Sequence, residues 1–206
     1  RSNFHELITD VNAKISAAPD QAELRLDRAR IYLEHEDMVE AKADLDAAAK
    51  LTPDSVRWIF LQAKWERQSK HWPEARRGVE EYLKRMPKDG AAHWERLEVL
   101  CAMEDTPEAL RQADLMLGME QNQLPELVLQ RVKLAEALDP AEALRWLNSW
   151  LAGHPRLPVW EQEALRLEMK LNQPDAALAR FEQLLAKTPR KEFLLLKQAK
   201  YLAELK

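Results

Sequence analysis

The sequence predicts an all-α fold, an α-solenoid of stacked helix-turn-helix hairpins, and three observations predict it. Glycine is scarce, with four in 206 residues. The usual share of about 7% would supply about 14, so folds built on tight turns or nucleotide loops are disfavoured. Proline recurs on a 34-residue lattice at Pro19, Pro53, Pro87, Pro155 and Pro189, with Gln121 at the one point that lacks it. Twelve residues before Pro53, Pro87, Gln121, Pro155 and Pro189 stands an alanine each time: Ala41, Ala75, Ala109, Ala143 and Ala177. Four residues after these come Leu45, Val79, Ala113, Leu147 and Phe181. A fixed period of this length is the signature of stacked supersecondary units. The small residue marks a close helix contact, the larger one fills the core a turn later, and the proline ends the second helix.

The elements follow in order. Residues 3–17 carry Phe4, Leu7, Ile8, Val11 and Ile15 at helical spacing and read as a lone second helix. Five full hairpins occupy 22–55, 56–89, 90–123, 124–157 and 158–191, and 192–206 form one last first helix. Pro73, Pro107, Pro140 and Pro174 fall just inside the starts of second helices, where a missing N–H costs nothing. Thr106 and Asp139, each directly before one of these prolines, suit an N-cap. Pro140 and Pro174 come one lattice place earlier than Pro73 and Pro107, so first-helix registers near them shift by about one residue. Lys197, Lys200, Glu204 and Lys206 give the last helix a polar face suited to capping the stack. No stretch reads as a linker, and residues 1–206 are expected to form a single solenoid domain. The opening on half a hairpin leads us to expect further repeats or another domain ahead of Arg1 in a longer parent. It also leads us to expect self-association through the apolar face of residues 3–17.

A 34-residue two-helix unit with these places filled resembles the tetratricopeptide repeat (TPR). In the unit 22–55, Ala29, Tyr32, Ala41, Leu45, Ala48 and Pro53 stand at signature places, and the resemblance covers essentially the whole chain. Signature places of the first helices are polar at Arg25, Arg28, Gln62, Gln130 and Glu161. The resemblance implies a right-handed superhelix whose first helices line a concave groove. Its groove places here are Glu23, Leu26, Arg30, Leu33 and Glu34, then Arg57, Phe60, Lys64, Arg67 and Gln68, then Trp94, Glu98 and Cys101. A more apolar line of Val128, Val132 and Met169 follows. From these, Arg30, Arg57, Phe60, Lys64, Arg67, Trp94 and Glu98 are the candidate peptide-binding residues, a basic and aromatic patch. The fifth and ninth places of the units read Leu26/Arg30, Phe60/Lys64, Trp94/Glu98, Val128/Val132 and Gln162/Arg166. The lysine and asparagine pair with which TPR clamps hold the carboxylate end of heat-shock chaperones is absent, so that function is not expected.

Composition narrows the remaining classes. Thirty-one Lys and Arg against 35 Asp and Glu give a net charge of −4, too acidic for bulk nucleic-acid binding. No apolar run is long enough to span a membrane, and the first residues do not form a signal peptide. The single cysteine, Cys101, cannot form an internal disulfide and has no histidine placed to activate it. His5-Glu6 opens like a zinc-protease helix but has Thr9 where the second histidine must stand. The other histidines share no ligand spacing, and four isolated glycines build no phosphate loop. No catalytic residue, metal or cofactor is expected. Trp58, Trp65, Trp146 and Trp150 read as wedges between helices, and Trp94 as a groove residue.

The function expected is a non-enzymatic protein–protein interaction scaffold in a bacterial multi-component assembly. Its concave groove would hold a peptide or helix that is acidic and carries an apolar anchor. The alternative is a regulatory or substrate-positioning TPR region of a larger enzyme, such as a glycan or cell-envelope enzyme. The compartment expected is the bacterial cytoplasm or periplasm.

Overall fold

The computed structural model describes residues 2–119, 125–189 and 191–205, apart from the side chains of Ser2 and Asn3. Gln121 and Lys206, both named above, lie outside this set. The described chain is 82% helical and contains no strand. Its helices are α1 (Ser2–Ala17), α2 (Ala22–Glu34), α3 (Met38–Leu51), α4 (Val56–Gln68), α5 (Trp72–Arg85), α6 (Gly90–Ala102), α7 (Thr106–Leu117), α8 (Pro125–Leu138), α9 (Pro140–Gly153), α10 (Pro158–Lys170), α11 (Pro174–Lys187) and α12 (Glu192–Glu204). They gather into two compact units, Arg1–Asp105 and Thr106–Lys206, and each is described by itself.

In the first unit α2 pairs with α3 and α4 with α5, and each hairpin packs on the next. Leu26, Ala29, Leu33, Ala41, Leu45, Ala48 and Leu61 form one core cluster, against which Trp58 and Trp65 pack. Both indoles bond carbonyls of the preceding second helix, Trp58 Nε1 to Leu45 O at 2.9 Å and Trp65 Nε1 to Met38 O at 2.8 Å. They are the expected wedges, with their N–H groups satisfied. Ser55 caps α4 by accepting from Trp58 N, and Asp89 caps α6 by accepting from Ala91 N and Ala92 N.

In the second unit α8 pairs with α9 and α10 with α11. Asp139 caps α9 through Ala141 N at 2.8 Å, as expected. Prolines open α8, α9, α10 and α11. Every member of both lattice columns, Ala41, Ala75, Ala109, Ala143 and Ala177 with Leu45, Val79, Ala113, Leu147 and Phe181, has 0% exposure. The repeat period therefore coincides with the burial period.

The two terminal helices differ from expectation. The face of α1 is largely covered, because Phe4, Ile8, Val11 and Ile15 pack with Leu24 and Ile31 of α2, which leaves Leu7 at 44% exposure. On α12 only Leu194 and Tyr201 are buried, against Ala177, Phe181 and Leu184 of α11. Its outer surface is not a polar cap: Phe193 (74%), Leu195 (50%), Leu196 (56%), Leu202 (41%) and Leu205 (39%) all face solvent. A helix carrying leucines on several faces cannot bury all of them on one neighbour.

The turns inside the hairpins repeat as well. Glu36, Lys70, Glu104 and Asn172 have φ of 63°, 63°, 58° and 53°, each a non-glycine residue in the left-handed region. The first three are 34 residues apart and Asn172 stands two periods beyond Glu104.

Candidate functional site

The first helices α2, α4 and α6 of the first unit lie side by side, which brings the candidate groove residues onto neighbouring elements. Arg57 on α4 reaches back to α2, with Nη1 2.7 Å from Glu23 and Nη2 2.5 Å from Asp27. Arg67, three turns later, reaches forward to α6, with Nε 2.5 Å from Glu95 and Nη1 3.1 Å from Glu98. Gln68 Nε2 donates to Leu33 O at 3.2 Å. Arg30 pairs within its own helix, 2.6 Å from Glu34. Burial pushes the Glu95 carboxyl up, against the opposing pull of Arg67. The basic patch is thus already matched by carboxylates, and three of its four cations act as ties within or between first helices.

The aromatic part is arranged differently. Phe60 stacks on Tyr82 at 4.7 Å between ring centroids, and Lys64 Nζ stands 5.5 Å from the centre of the Phe60 ring. Tyr82 donates its hydroxyl to Asp89, the α6 cap, at 2.6 Å. Burial and that carboxylate push the phenol up to about 12. On α6, Trp94 is half-buried, whereas its neighbours His93 and Leu97 are only 6% and 1% exposed. Trp94 and the exposed Glu98 therefore share the open side of that helix.

Other groove places do not come to the surface. Leu26 (0%) and Leu33 (3%) belong to the core cluster of α2 and α3. Val128 and Val132, expected on the later apolar line, are 0% exposed and pack with Ala143, Leu144 and Leu147. Met169 packs against Leu165 and Phe181. Val128 shares its lattice place with Leu26, so this place faces the core in both units without a change of register. Cys101 is half-buried on α6.

A further column, of which the sequence reading picked out only Trp146 as a wedge, lies inside the hairpins. One residue before the Leu45 column lie Asp44, Gly78, Gln112, Trp146 and Arg180, again 34 residues apart. Asp44 is 2% exposed and accepts from Arg28 Nε and Nη2, both at 2.7 Å. Trp146 lies under Arg131, 4.2 Å from guanidinium carbon to ring centre, and that guanidinium also binds Asp114 and Glu142. Arg180 binds Glu168 through two contacts of 2.7 and 2.8 Å, Glu161 at 2.8 Å and Asn148 at 2.7 Å. The polar signature places Arg28 and Glu161 are therefore partners for this column, not surface substitutions. The available signal was a charged residue wedged between two strictly apolar columns, which demands a buried counter-charge.

No protein-family model matches the chain, and no curated protein matches it in sequence. Among solved structures, that of PilF from Pseudomonas aeruginosa is similar over 99% of this chain and 91% of that one, with a TM-score of 0.66 at 16% identity. YrrB, described as a TPR protein with an unusual peptide-binding site, is similar over 92% of this chain and 97% of its own, with a TM-score of 0.65 at 17% identity. TTC0263, a TPR protein of Thermus thermophilus, gives 0.51 at 17% identity over 89% of this chain and 100% of its own. At such identities the likeness is one of fold, the helical-repeat architecture of TPR proteins.

Proposed function

We propose that the chain is a TPR scaffold without catalytic activity, whose α2–α4–α6 face holds a segment of another protein within a bacterial multi-component assembly. The observation that carries this is the pairing of two half-buried aromatic side chains, Trp94 and Phe60, with charged groups already held in place by bridges between first helices. Preformed, rigid side chains lose little entropy on binding, and aromatic groups dominate interface hot spots. YrrB, with its peptide-binding site, supports the same use of the fold. The lattice running through both units in sequence supports one array of repeats across residues 1–206.

The partner we propose is an extended or helical segment with an apolar anchor for Trp94 and Phe60 and acidic residues beside it. Arg57 and Arg67 are engaged by Glu23, Asp27, Glu95 and Glu98 and Arg30 by Glu34, so the ammonium of Lys64 is the group that meets those acids. A randomised peptide library bound to the wild-type chain supplies the ligands for a test by calorimetry. Trp94→Ala should weaken the selected peptides by about 2 kcal/mol or more with the melting temperature nearly unchanged. Lys64→Glu should slow association and reduce its salt dependence. Selected peptides indifferent to both substitutions would place the binding face elsewhere.

A further inference from the structure

Charge on the α2–α4–α6 face changes sign from one helix to the next. The middle helix, α4, packs against both α2 and α6 and brings Arg57, Lys64 and Arg67 beside Phe60. The carboxylates that answer them stand on the flanking helices, Glu23 and Asp27 on α2, Glu95 and Glu98 on α6. Arg30 and Glu34 add one charge of each sign at α2.

Exposure separates the signs further. In the bridge between Arg57 and Glu23 the arginine side chain is 36% exposed and the glutamate 63%. Between Arg67 and Glu98 the figures are 26% and 54%. Glu34 is likewise more open than its partner Arg30. The buried carboxylate of Glu95 is the exception, and Arg67 spans from it to the exposed Glu98. An ionised carboxylate accepts about four hydrogen bonds. Glu23 and Glu34 each receive one from their arginine, so most of their acceptor capacity is turned to solvent. An approaching molecule therefore meets carboxylate along α2 and α6. On α4 between them it meets Lys64, which makes no salt bridge among the described residues and stands 5.5 Å from the centre of the Phe60 ring.

We infer that the segment held by this face is amphoteric: its acid meets Lys64 on α4, and lysine or arginine residues on either side of that acid meet Glu23 and Glu34 of α2 and Glu98 of α6. The inference rests on the docking face proposed above and names the charge order of its ligand. Packed helices lie about 8–10 Å apart. An extended segment of three residues per turn rises about 3.1 Å per residue, so one crossing from α2 to α6 carries these charges about three residues apart. A wholly acidic segment would be opposed by the outer carboxylates, because like charges across an interface reject a partner.

Peptides selected from a randomised library on the wild-type chain read this order directly. Those whose binding is weakened by Trp94→Ala should carry Lys or Arg on both sides of an Asp or Glu. One such peptide, made synthetically and titrated by calorimetry, should bind Glu23→Gln and Glu98→Gln about two- to five-fold more weakly, the effect of one exposed charge pair. Melting temperatures close to wild type show that the variants are folded. Replacing each basic residue of the peptide by Glu should weaken its binding to wild type, and for one of these replacements Glu98→Lys should restore it. Trp94-sensitive peptides that lack the basic–acidic–basic order, or that bind both glutamine variants as tightly as wild type, overturn the inference and leave the docking face standing. Peptides indifferent to Trp94→Ala and Lys64→Glu overturn both.

Discussion

Ala63 and Gly78 show one atom setting the spacing of two helices. A Cβ added to Gly78 would lie 2.8 Å from the Cβ of Ala63, closer than two carbons can approach without movement. Alanine gains up to about 1 kcal/mol over glycine in a helix interior. Overpacking a close seam costs about 1–3 kcal/mol, so the clash wins and Gly78→Ala should be destabilising. Adding Ala63→Gly should relieve the clash, and a double-mutant cycle by urea denaturation should give a clear coupling between the two. Strict additivity would mean that the contact carries no energy. Sequence reading missed this position because it treated the four glycines only as loop formers. It missed the left-handed turn residues for the opposite reason, since glutamate and lysine at Glu36, Lys70 and Glu104 give no compositional sign of a conformation that asparagine at Asn172 does suggest.

Four of the five hairpins carry a distinct device in the column, at Asp44, Gly78, Trp146 and Arg180. The first is a charge pair, the second a close backbone approach, the third an arginine over an indole and the fourth a guanidinium shared by two carboxylates. Asp44→Arg would bring a third guanidinium beside Arg28 and Arg25, the latter 3.9 Å from Asp44 in the native pair. Breaking a buried pair costs about 3–5 kcal/mol, and Arg28→Asp added to Asp44→Arg should restore part of the loss. A double variant no more stable than Asp44→Arg alone would refute pairing as the reason. First helices are tied to one another as well. Glu136 of α8 accepts from Arg166 and, at 2.6 Å, from Lys170 of α10. The hydrogen bond from Arg166, against burial and with help from Lys170, holds this carboxyl at about 2 instead of its ordinary 4.5. A folded value below the unfolded one means stability present in full above about 4.5 and lost as pH falls through about 2. The stability difference between wild type and Glu136→Gln should therefore shrink as pH is lowered across that window, and a difference independent of pH would show that the charge is irrelevant.

Across the whole molecule, what could be read in the sequence was whatever depends on period and size. The alanine and large-apolar columns, the wedge tryptophans Trp58 and Trp65 and the proline-led helix starts were all legible, because each follows from residue volume or backbone chemistry at a fixed interval. Trp94 lies half-buried beside the buried His93 and Leu97. Val128 and Val132 were not legible, because groove places were assigned by lattice position alone, and packing puts Val128, like Leu26 at the same place, into the core. The surface of α12 was not legible either, since its lysines are as visible in the sequence as its leucines and only packing decides which leucines find a neighbour. The unlike devices in the Asp44 column have a consequence for ancestry. Repeats multiply and disappear by recombination between similar stretches of DNA, and here the stretches are no longer interchangeable. A deletion joining the lattice point at Ala41 to that at Ala75 would keep the period but set Arg28 opposite Gly78 and strand its charge. A deletion joining Pro53 to Pro87 would remove a hairpin together with its own device. Lineages of this protein should therefore gain and lose repeats at the proline boundaries, with the interiors of the hairpins inherited as indivisible blocks.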